Sequence, residues 1–126
     1  MSIEIVAEIA QGYEGDKTIA CLLAKAAVSA GADAVKFQYV RADEVATPDY
    51  QYYDLFKSFE MPDEAWDKVA QVIKSNGKKM YFDISCEAAL KVAYDVKADG
   101  GKIHATNFYN TDLVKEILNK MPLVFI

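Results

Sequence analysis

The chain has 126 residues, of which 52% are hydrophobic and 26% are charged, and its formal net charge is −5. This length and composition are typical of one globular domain that buries a core of its own. The negative charge argues against non-specific binding to nucleic acid or to anionic membranes, although a few focused cations could still bind an anionic metabolite.

The first elements in chain order are a strand and a helix. Residues 3–10 are apolar and β-branched, which predicts a buried strand. After a loop with two glycines, an alanine-rich segment predicts a helix over residues 21–28, capped by Asp16 or Thr18 and ended at Gly31.

The middle of the chain predicts a second strand over residues 33–38 and then a long connection. Residues 39–62 are polar and rich in tyrosine, which favours a long loop with one short helix. The three tyrosines Tyr50, Tyr52 and Tyr53 indicate lid packing or a subunit contact rather than base stacking.

Helices and strands alternate through the rest of the chain. We predict helices over residues 62–73, 87–96 and 113–119, the last capped at Thr111 and Asp112, and strands over residues 79–84, 101–105 and 122–126. This alternation demands an α/β fold with a parallel sheet, either doubly wound or part of an eight-stranded barrel. Because the chain stops inside an apolar strand, we expect the N-terminal half of a TIM barrel. It would have about five strands and four helices in one domain truncated within strand five, with no second domain.

Polar side chains interrupt the predicted strands, mostly near the carboxyl ends, where parallel α/β proteins place their sites. They are Glu8 in strand one, Lys36 and Gln38 in strand two, Asp83 in strand three, and Lys102 and His104 on one face of strand four. A buried unpaired charge is costly, so each needs a partner, a ligand or water. Internal ion pairs, such as Glu8 with Lys36, are one interpretation. The other is a site where two lysines bind an anionic substrate.

Several other classes of site find no support in the sequence. The glycine spacing matches neither a dinucleotide fingerprint nor a P-loop. His104 is the only histidine, so neither a multi-histidine metal site nor a Ser-His-Asp triad is predicted. Cys21 and Cys86 have no disulfide or metal spacing, which indicates reduced thiols in a cytoplasmic protein. No apolar run approaches the roughly 20 residues of a membrane span, and we expect no signal peptide.

Four segments of the chain resemble the sialic acid synthase family. Residues 7–16 (AEIAQGYEGD) and 30–38 (AGADAVKFQ) are similar to the opening loop and second strand of these enzymes. Residues 82–87 (FDISCE) and 102–107 (KIHATN) are similar to later strand segments, in the same order and with similar spacing. The resemblance covers nearly the whole chain.

The resemblance implies a TIM-barrel enzyme that joins phosphoenolpyruvate to an N-acetylated amino sugar aldehyde such as N-acetylmannosamine, giving a nonulosonic acid. It also implies a divalent metal, manganese or magnesium, held in the full-length enzyme by residues outside this chain, and a full-length homodimer. By position, each matched residue receives a role. Lys36 and Lys102 would hold the phosphate and carboxylate of phosphoenolpyruvate, with Thr106 and Asp83 in the same pocket, Glu8 as the catalytic residue at the sugar, and Gln38 in the sugar pocket.

Three positions depart from the family pattern. Tyr13 stands where histidine is usual, and Asp83 stands where many members have threonine. A carboxylate beside a phosphate would repel it. Ala105 replaces a serine that contacts the phosphate, and Thr106 beside it could take over that contact.

Two other functions remain open. A barrel enzyme of the Schiff-base type would use Lys102 or Lys36 as its nucleophile. A half-barrel with exposed strand edges would instead be an assembly module without catalysis.

Because the family's metal ligands lie on later strands, we predict that the 126-residue chain is inactive alone.

Overall fold

Five parallel strands form one sheet in the order β1-β2-β3-β4-β5 in the computed structural model, which describes residues 3–126. The strands are β1 (Val6–Ala10), β2 (Ala34–Gln38), β3 (Lys79–Ile84), β4 (Gly100–Ile103) and β5 (Val124–Phe125). Each strand pairs with the next one along the chain. A doubly wound sheet reverses its order at a switch point, whereas a barrel continues in one direction. The predicted half-barrel fold is therefore confirmed.

Within residues 3–126, six α-helices connect the strands, where the sequence predicted four and one further short helix. They are α1 (Lys17–Ser29), α2 (Ala42–Val45), α3 (Tyr53–Ser58), α4 (Ala65–Lys74), α5 (Glu87–Asp95) and α6 (Thr111–Lys120), with a 3₁₀ turn at Ala105–Asn107. The long connection after β2 holds two short helices, α2 and α3, where the sequence predicted one. No helix among residues 3–126 has the length and apolar character needed to span a membrane.

The helix ends follow local hydrogen bonding. Asp16 caps α1, because its Oδ1 accepts from the backbone N–H groups of Thr18 at 2.6 Å and Ile19 at 3.0 Å. This helix begins at Lys17, earlier than predicted. The predicted cap of α6 was wrong: Asn110 caps it by accepting from the Leu113 N–H at 3.2 Å, and Thr111 is already helical. An asparagine preceding the first turn competes well for this position.

The main core lies between the sheet and the helices that cover its outer face. Trp66 on α4 is fully buried at its centre. Its ring packs edge-on against Tyr13 at 5.1 Å, Phe37 at 5.4 Å and Phe82 at 5.1 Å between centroids. Large aromatic rings in edge-to-face contact add specific geometry to apolar burial. This packing fixes β2 and β3 against α4.

The opposite face of the sheet is concave. Tyr81 on β3 and Phe125 on β5 have ring centroids 5.5 Å apart although β4 lies between their strands. Lys36 Nζ on β2 lies 6.0 Å from the Phe125 ring centroid. These contacts reach across one and two intervening strands, so side chains converge on this face, which is the inner face of the half-barrel.

Candidate active site

Strand register brings five of the predicted site residues into two neighbouring rungs on the concave face, which together form the polar row of the site. Glu8 pairs with Lys36 across β1 and β2, Gln38 pairs with Asp83 across β2 and β3, and Asp83 pairs with Lys102 across β3 and β4. Paired residues of adjacent parallel strands point to the same face, and every second residue of a strand returns to it. The row lies towards the carboxyl ends of the strands.

Two ion pairs occupy this row. Lys36 Nζ lies 2.5 Å from Glu8 Oε2, and their side chains are 10% and 49% exposed. Lys102 Nζ lies 3.0 Å from Asp83 Oδ2, and their side chains are 28% and 10% exposed. The internal ion pair considered for Glu8 and Lys36 is therefore present, and Lys102 forms a second one. In this state the four charges sum to zero.

Asp83 has hydrogen-bonding capacity to spare. Its Oδ1 is buried and makes no hydrogen bond with any residue in the described part of the chain, while Oδ2 contacts Lys102. A buried carboxylate with one ammonium partner depends strongly on that partner. Lys102 thus explains how β3 accommodates a carboxylate where the family resemblance led us to expect threonine.

His104 lies just beyond β4, which ends at Ile103 rather than at residue 105 as predicted. Its backbone is still extended, with φ −66° and ψ 141°, so its ring reaches the same face as Lys102. Nδ1 lies 2.8 Å from Thr106 Oγ1 and accepts from the Thr106 N–H at 3.4 Å. Nε2 lies 3.5 Å from Gln38 Nε2. The strand is shorter because the chain turns here into the 3₁₀ helix that His104 caps.

A cavity of about 370 Å³ opens at the carboxyl ends of β2, β3 and β4. Its lining includes Gln38, Ser85, His104, Thr106 and Asn107, so two of the predicted site residues border it. A larger cavity of about 450 Å³ lies near the carboxyl ends of α5 and α6, and none of the predicted site residues lines it. The cavity of about 370 Å³ is therefore the one that belongs to the candidate site.

Sequence reasoning missed Ser85 and Asn107 as site residues. The Asn107 side-chain amide donates to the Ser85 carbonyl and joins the loops that follow β3 and β4. The Ser85 hydroxyl is buried at the edge of the cavity. Ser85 lies two residues after Asp83, so the period of two along an extended segment could have predicted its face.

Tyr13 lies in the core, outside the polar row. Its ring is fully buried against Trp66, and its hydroxyl donates to the Gln38 carbonyl at 3.0 Å. Burial raises the pKa of the Tyr13 phenol well above its ordinary value, so it stays neutral. At the position where the family usually has histidine, this chain therefore holds a side chain that supports the end of β2.

The two cysteines are free in the structure. Cys86 is buried, and this burial raises the pKa of its thiol, so it has the character of a structural cysteine rather than a reactive one. Among residues 3–126, no three histidine, cysteine or acidic side chains lie close enough together to hold a metal ion. The binding of manganese or magnesium stays a prediction from the family resemblance.

Comparisons with known proteins agree with this architecture. A curated relative, an uncharacterized protein of Methanocaldococcus jannaschii, is 34% identical over 73 residues, which are 58% of this chain and 22% of that protein. The N-acetylneuraminic acid (sialic acid) synthetase of Leptospira borgpetersenii superposes with a TM-score of 0.86 at 18% identity, covering 95% of this chain and 42% of that one.

Two spore coat polysaccharide biosynthesis proteins E are also similar in structure. The protein from Chromobacterium violaceum matches with a TM-score of 0.81 at 20% identity over 98% of this chain and 40% of its own. The protein from Bacillus subtilis matches with a TM-score of 0.74 at 28% identity over 98% of this chain and 35% of its own. The chain thus spans less than half the length of each of these relatives. The model of the NeuB family matches residues 23–126, most of the sequence, and the chain belongs to that family.

Proposed function

We propose that this chain supplies the phosphoenolpyruvate-binding half of a synthase that joins phosphoenolpyruvate to an N-acetylated amino sugar aldehyde, such as N-acetylmannosamine, to make a sialic-acid-type nonulosonic acid. Membership of the NeuB family supports the enzyme class. The observation that carries the proposal is the convergence of Lys36 and Lys102 on one concave face at the carboxyl ends of parallel strands.

The two lysines suit a trianionic substrate. One ammonium would bind the phosphate of phosphoenolpyruvate and the other its carboxylate, which offsets most of the charge. Glu8 is half-exposed, so it can release Lys36 to an incoming anion and turn towards the sugar aldehyde or its hydroxyls. Gln38 and Thr106 border the adjoining cavity, where they would contact the rest of the substrates.

The proposed reaction forms one carbon–carbon bond. C3 of phosphoenolpyruvate attacks the aldehyde carbon, water adds at C2, and the resulting tetrahedral intermediate loses phosphate. The chain's own residues bind and orient phosphoenolpyruvate for this attack, and such positioning of two reactants supplies a large part of the rate acceleration. The divalent metal implied by the resemblance would be held outside this chain, and no step assigned here depends on it.

The Schiff-base alternative is less well supported by the geometry. A nucleophilic lysine is activated by a desolvated apolar pocket or by a neighbouring cation. Lys36 and Lys102 each contact a carboxylate instead. Borohydride trapping in the presence of pyruvate would test this directly, and we expect no covalent adduct on either lysine.

Calorimetric titration of the 126-residue chain with phosphoenolpyruvate tests the proposal. We expect saturable binding that is lost in Lys36→Ala and in Lys102→Ala. Lys79→Ala is the matched control, because Lys79 starts β3 at the opposite end of the sheet and pairs with Glu4. Circular dichroism of each variant would show that the lost binding is not lost folding.

The outcomes separate clearly. An absence of binding by the unaltered chain, or binding that survives in Lys36→Ala, would contradict the proposal. We also expect no turnover by the chain alone, and measurable turnover above a Lys36→Ala control would overturn that expectation.

For the full-length enzyme we propose a cytoplasmic homodimer, which light scattering and cell fractionation would check.

A further inference from the structure

His104 lies where a side chain could bind a ligand, and it has no role in the proposed function. Its ring borders the cavity of about 370 Å³ at the carboxyl ends of β2, β3 and β4. It is half-buried and held from two sides, by Thr106 at Nδ1 and by Gln38 at Nε2. A ring fixed in this way at the mouth of a cavity presents a defined nitrogen to whatever enters.

The contacts of the ring indicate which nitrogen carries the proton. A backbone N–H can only donate, and the Thr106 N–H donates to Nδ1 at 3.4 Å. The Thr106 hydroxyl accepts from the Asn107 side-chain amide at 3.4 Å, which leaves its own hydrogen free for Nδ1 at 2.8 Å. We therefore assign Nδ1 as an acceptor and the ring proton to Nε2. A half-turn of the Gln38 amide places its Oε1 opposite this Nε2–H.

A second side chain of the same cavity has unused hydrogen-bonding capacity. The Ser85 residue is 7% exposed, and its hydroxyl, which lies near the Cys86 thiol, makes no hydrogen bond of good geometry with the described residues. Buried hydroxyls are nearly always hydrogen-bonded, so one without a protein partner at a cavity wall indicates a partner that comes from outside the protein. Ser85 and His104 therefore border the same space, and Lys36 and Lys102, each paired with a carboxylate, lie on the same face of the sheet.

We propose that His104 donates its Nε2–H to an anionic oxygen of the bound substrate, and that Ser85 donates to the same group. This inference rests on the proposed function and extends it from the two lysines to the mouth of the cavity. The ligand chemistry it requires is a phosphate or carboxylate oxygen, both of which phosphoenolpyruvate offers. Binding would exchange the Gln38 contact of the ring for a contact with the charged oxygen, which is the stronger hydrogen bond.

Because His104 is the only histidine, nitrogen-15 NMR of the labelled chain reads its ring without ambiguity. We expect the Nε2–H tautomer in the free chain. The Nε2 resonance should shift as phosphoenolpyruvate is added, and the titration curve should give the same dissociation constant as calorimetry. Parallel titrations with inorganic phosphate and with pyruvate assign the contact to the phosphate or the carboxylate, according to which of them moves the resonance.

Variants provide an independent readout. His104→Ala should weaken phosphoenolpyruvate binding about tenfold, as expected for one hydrogen bond to a charged group. His104→Gln should recover part of this loss, because its side-chain N–H can occupy a similar place. One set of results would overturn this inference and leave the proposed function standing. In it, phosphoenolpyruvate binds the unaltered chain but not Lys36→Ala, the His104 resonances of the unaltered chain do not move, and His104→Ala binds as tightly as the unaltered chain. No binding at all by the unaltered chain would overturn both.

Discussion

Replacing Lys102 with methionine tests how strongly Asp83 depends on a single ammonium group. Methionine keeps most of the length and the apolar stem of lysine but removes the charge. The Asp83 carboxylate would then be buried without a counter-ion, because Oδ1 makes no hydrogen bond within the described residues and Oδ2 loses Lys102. Lys36→Met is the matched control, because the partner that it abandons, Glu8, is half-exposed and can turn to water.

The two substitutions differ in their expected cost. Breaking a buried ion pair by removing one partner typically costs about 3 to 5 kcal/mol. Lys102 is partly open to solvent, so we take the lower end of this range, about 3 kcal/mol of unfolding free energy. Losing the pair of Lys36 should cost about 1 kcal/mol or less, since water solvates the carboxylate that remains.

Urea unfolding followed by circular dichroism measures both free energies, provided that the dependence on urea concentration is the same for all variants. Lys102→Met should therefore be about 2 kcal/mol less stable than Lys36→Met. Adding Asp83→Asn to Lys102→Met should restore most of the stability, because no unpaired charge is then buried. Equal losses for the two lysine variants, or a double variant no more stable than Lys102→Met, would refute this reasoning.

Three further measurements test the cap of α1, the core and the charge of the site. Asp16→Ala should lower the midpoint of thermal unfolding at neutral pH, whereas Asp16→Asn should not. The backbone N–H groups of Ile19 and Thr18 hold the pKa of the Asp16 carboxyl below its ordinary value, so the part of its advantage over alanine that comes from the negative charge is full above that value and is lost as the pH falls through the folded-state pKa. Trp66→Ala should cost about 4 kcal/mol in urea unfolding, because a fully buried ring is removed from among Tyr13 and its other aromatic neighbours. Asp83→Thr should tighten phosphoenolpyruvate binding about fivefold in calorimetry, since removing one negative charge relieves about 1 kcal/mol of repulsion.

The regular elements could be predicted from the sequence because their local signals agree with their environment. The third strand has the predicted bounds, residues 79–84, since an apolar β-forming run follows a turn at Gly77, whose φ is +67°. The start of α1 was placed too late. Its first turn, which begins at Lys17, lacks the apolar periodicity that reveals a helix, and only the Asp16 cap marks it.

The site could be predicted only in part, because its contacts depend on strand register and loop geometry. The pair of Glu8 with Lys36 was foreseeable from two charges in adjacent strands. The pair of Lys102 with Asp83 requires the register of β3 against β4, which residue spacing alone does not determine. Ser85 and Asn107 meet through a bond between two loops, and no periodic pattern carries that information.

Each ion pair of the site has one buried and one more exposed member, and this asymmetry determines how an anion can bind. In the first pair the buried member is Lys36, so Glu8 can turn to water and leave its ammonium to the ligand. In the second pair the buried member is Asp83, so Lys102 can move to a ligand only by leaving that carboxylate without a counter-ion. An anion therefore binds Lys36 by replacing Glu8 as its anionic partner, but it must share Lys102 with Asp83. The charge on Asp83 thus limits the affinity of the site, which is why its removal should tighten binding even though it removes an ion pair.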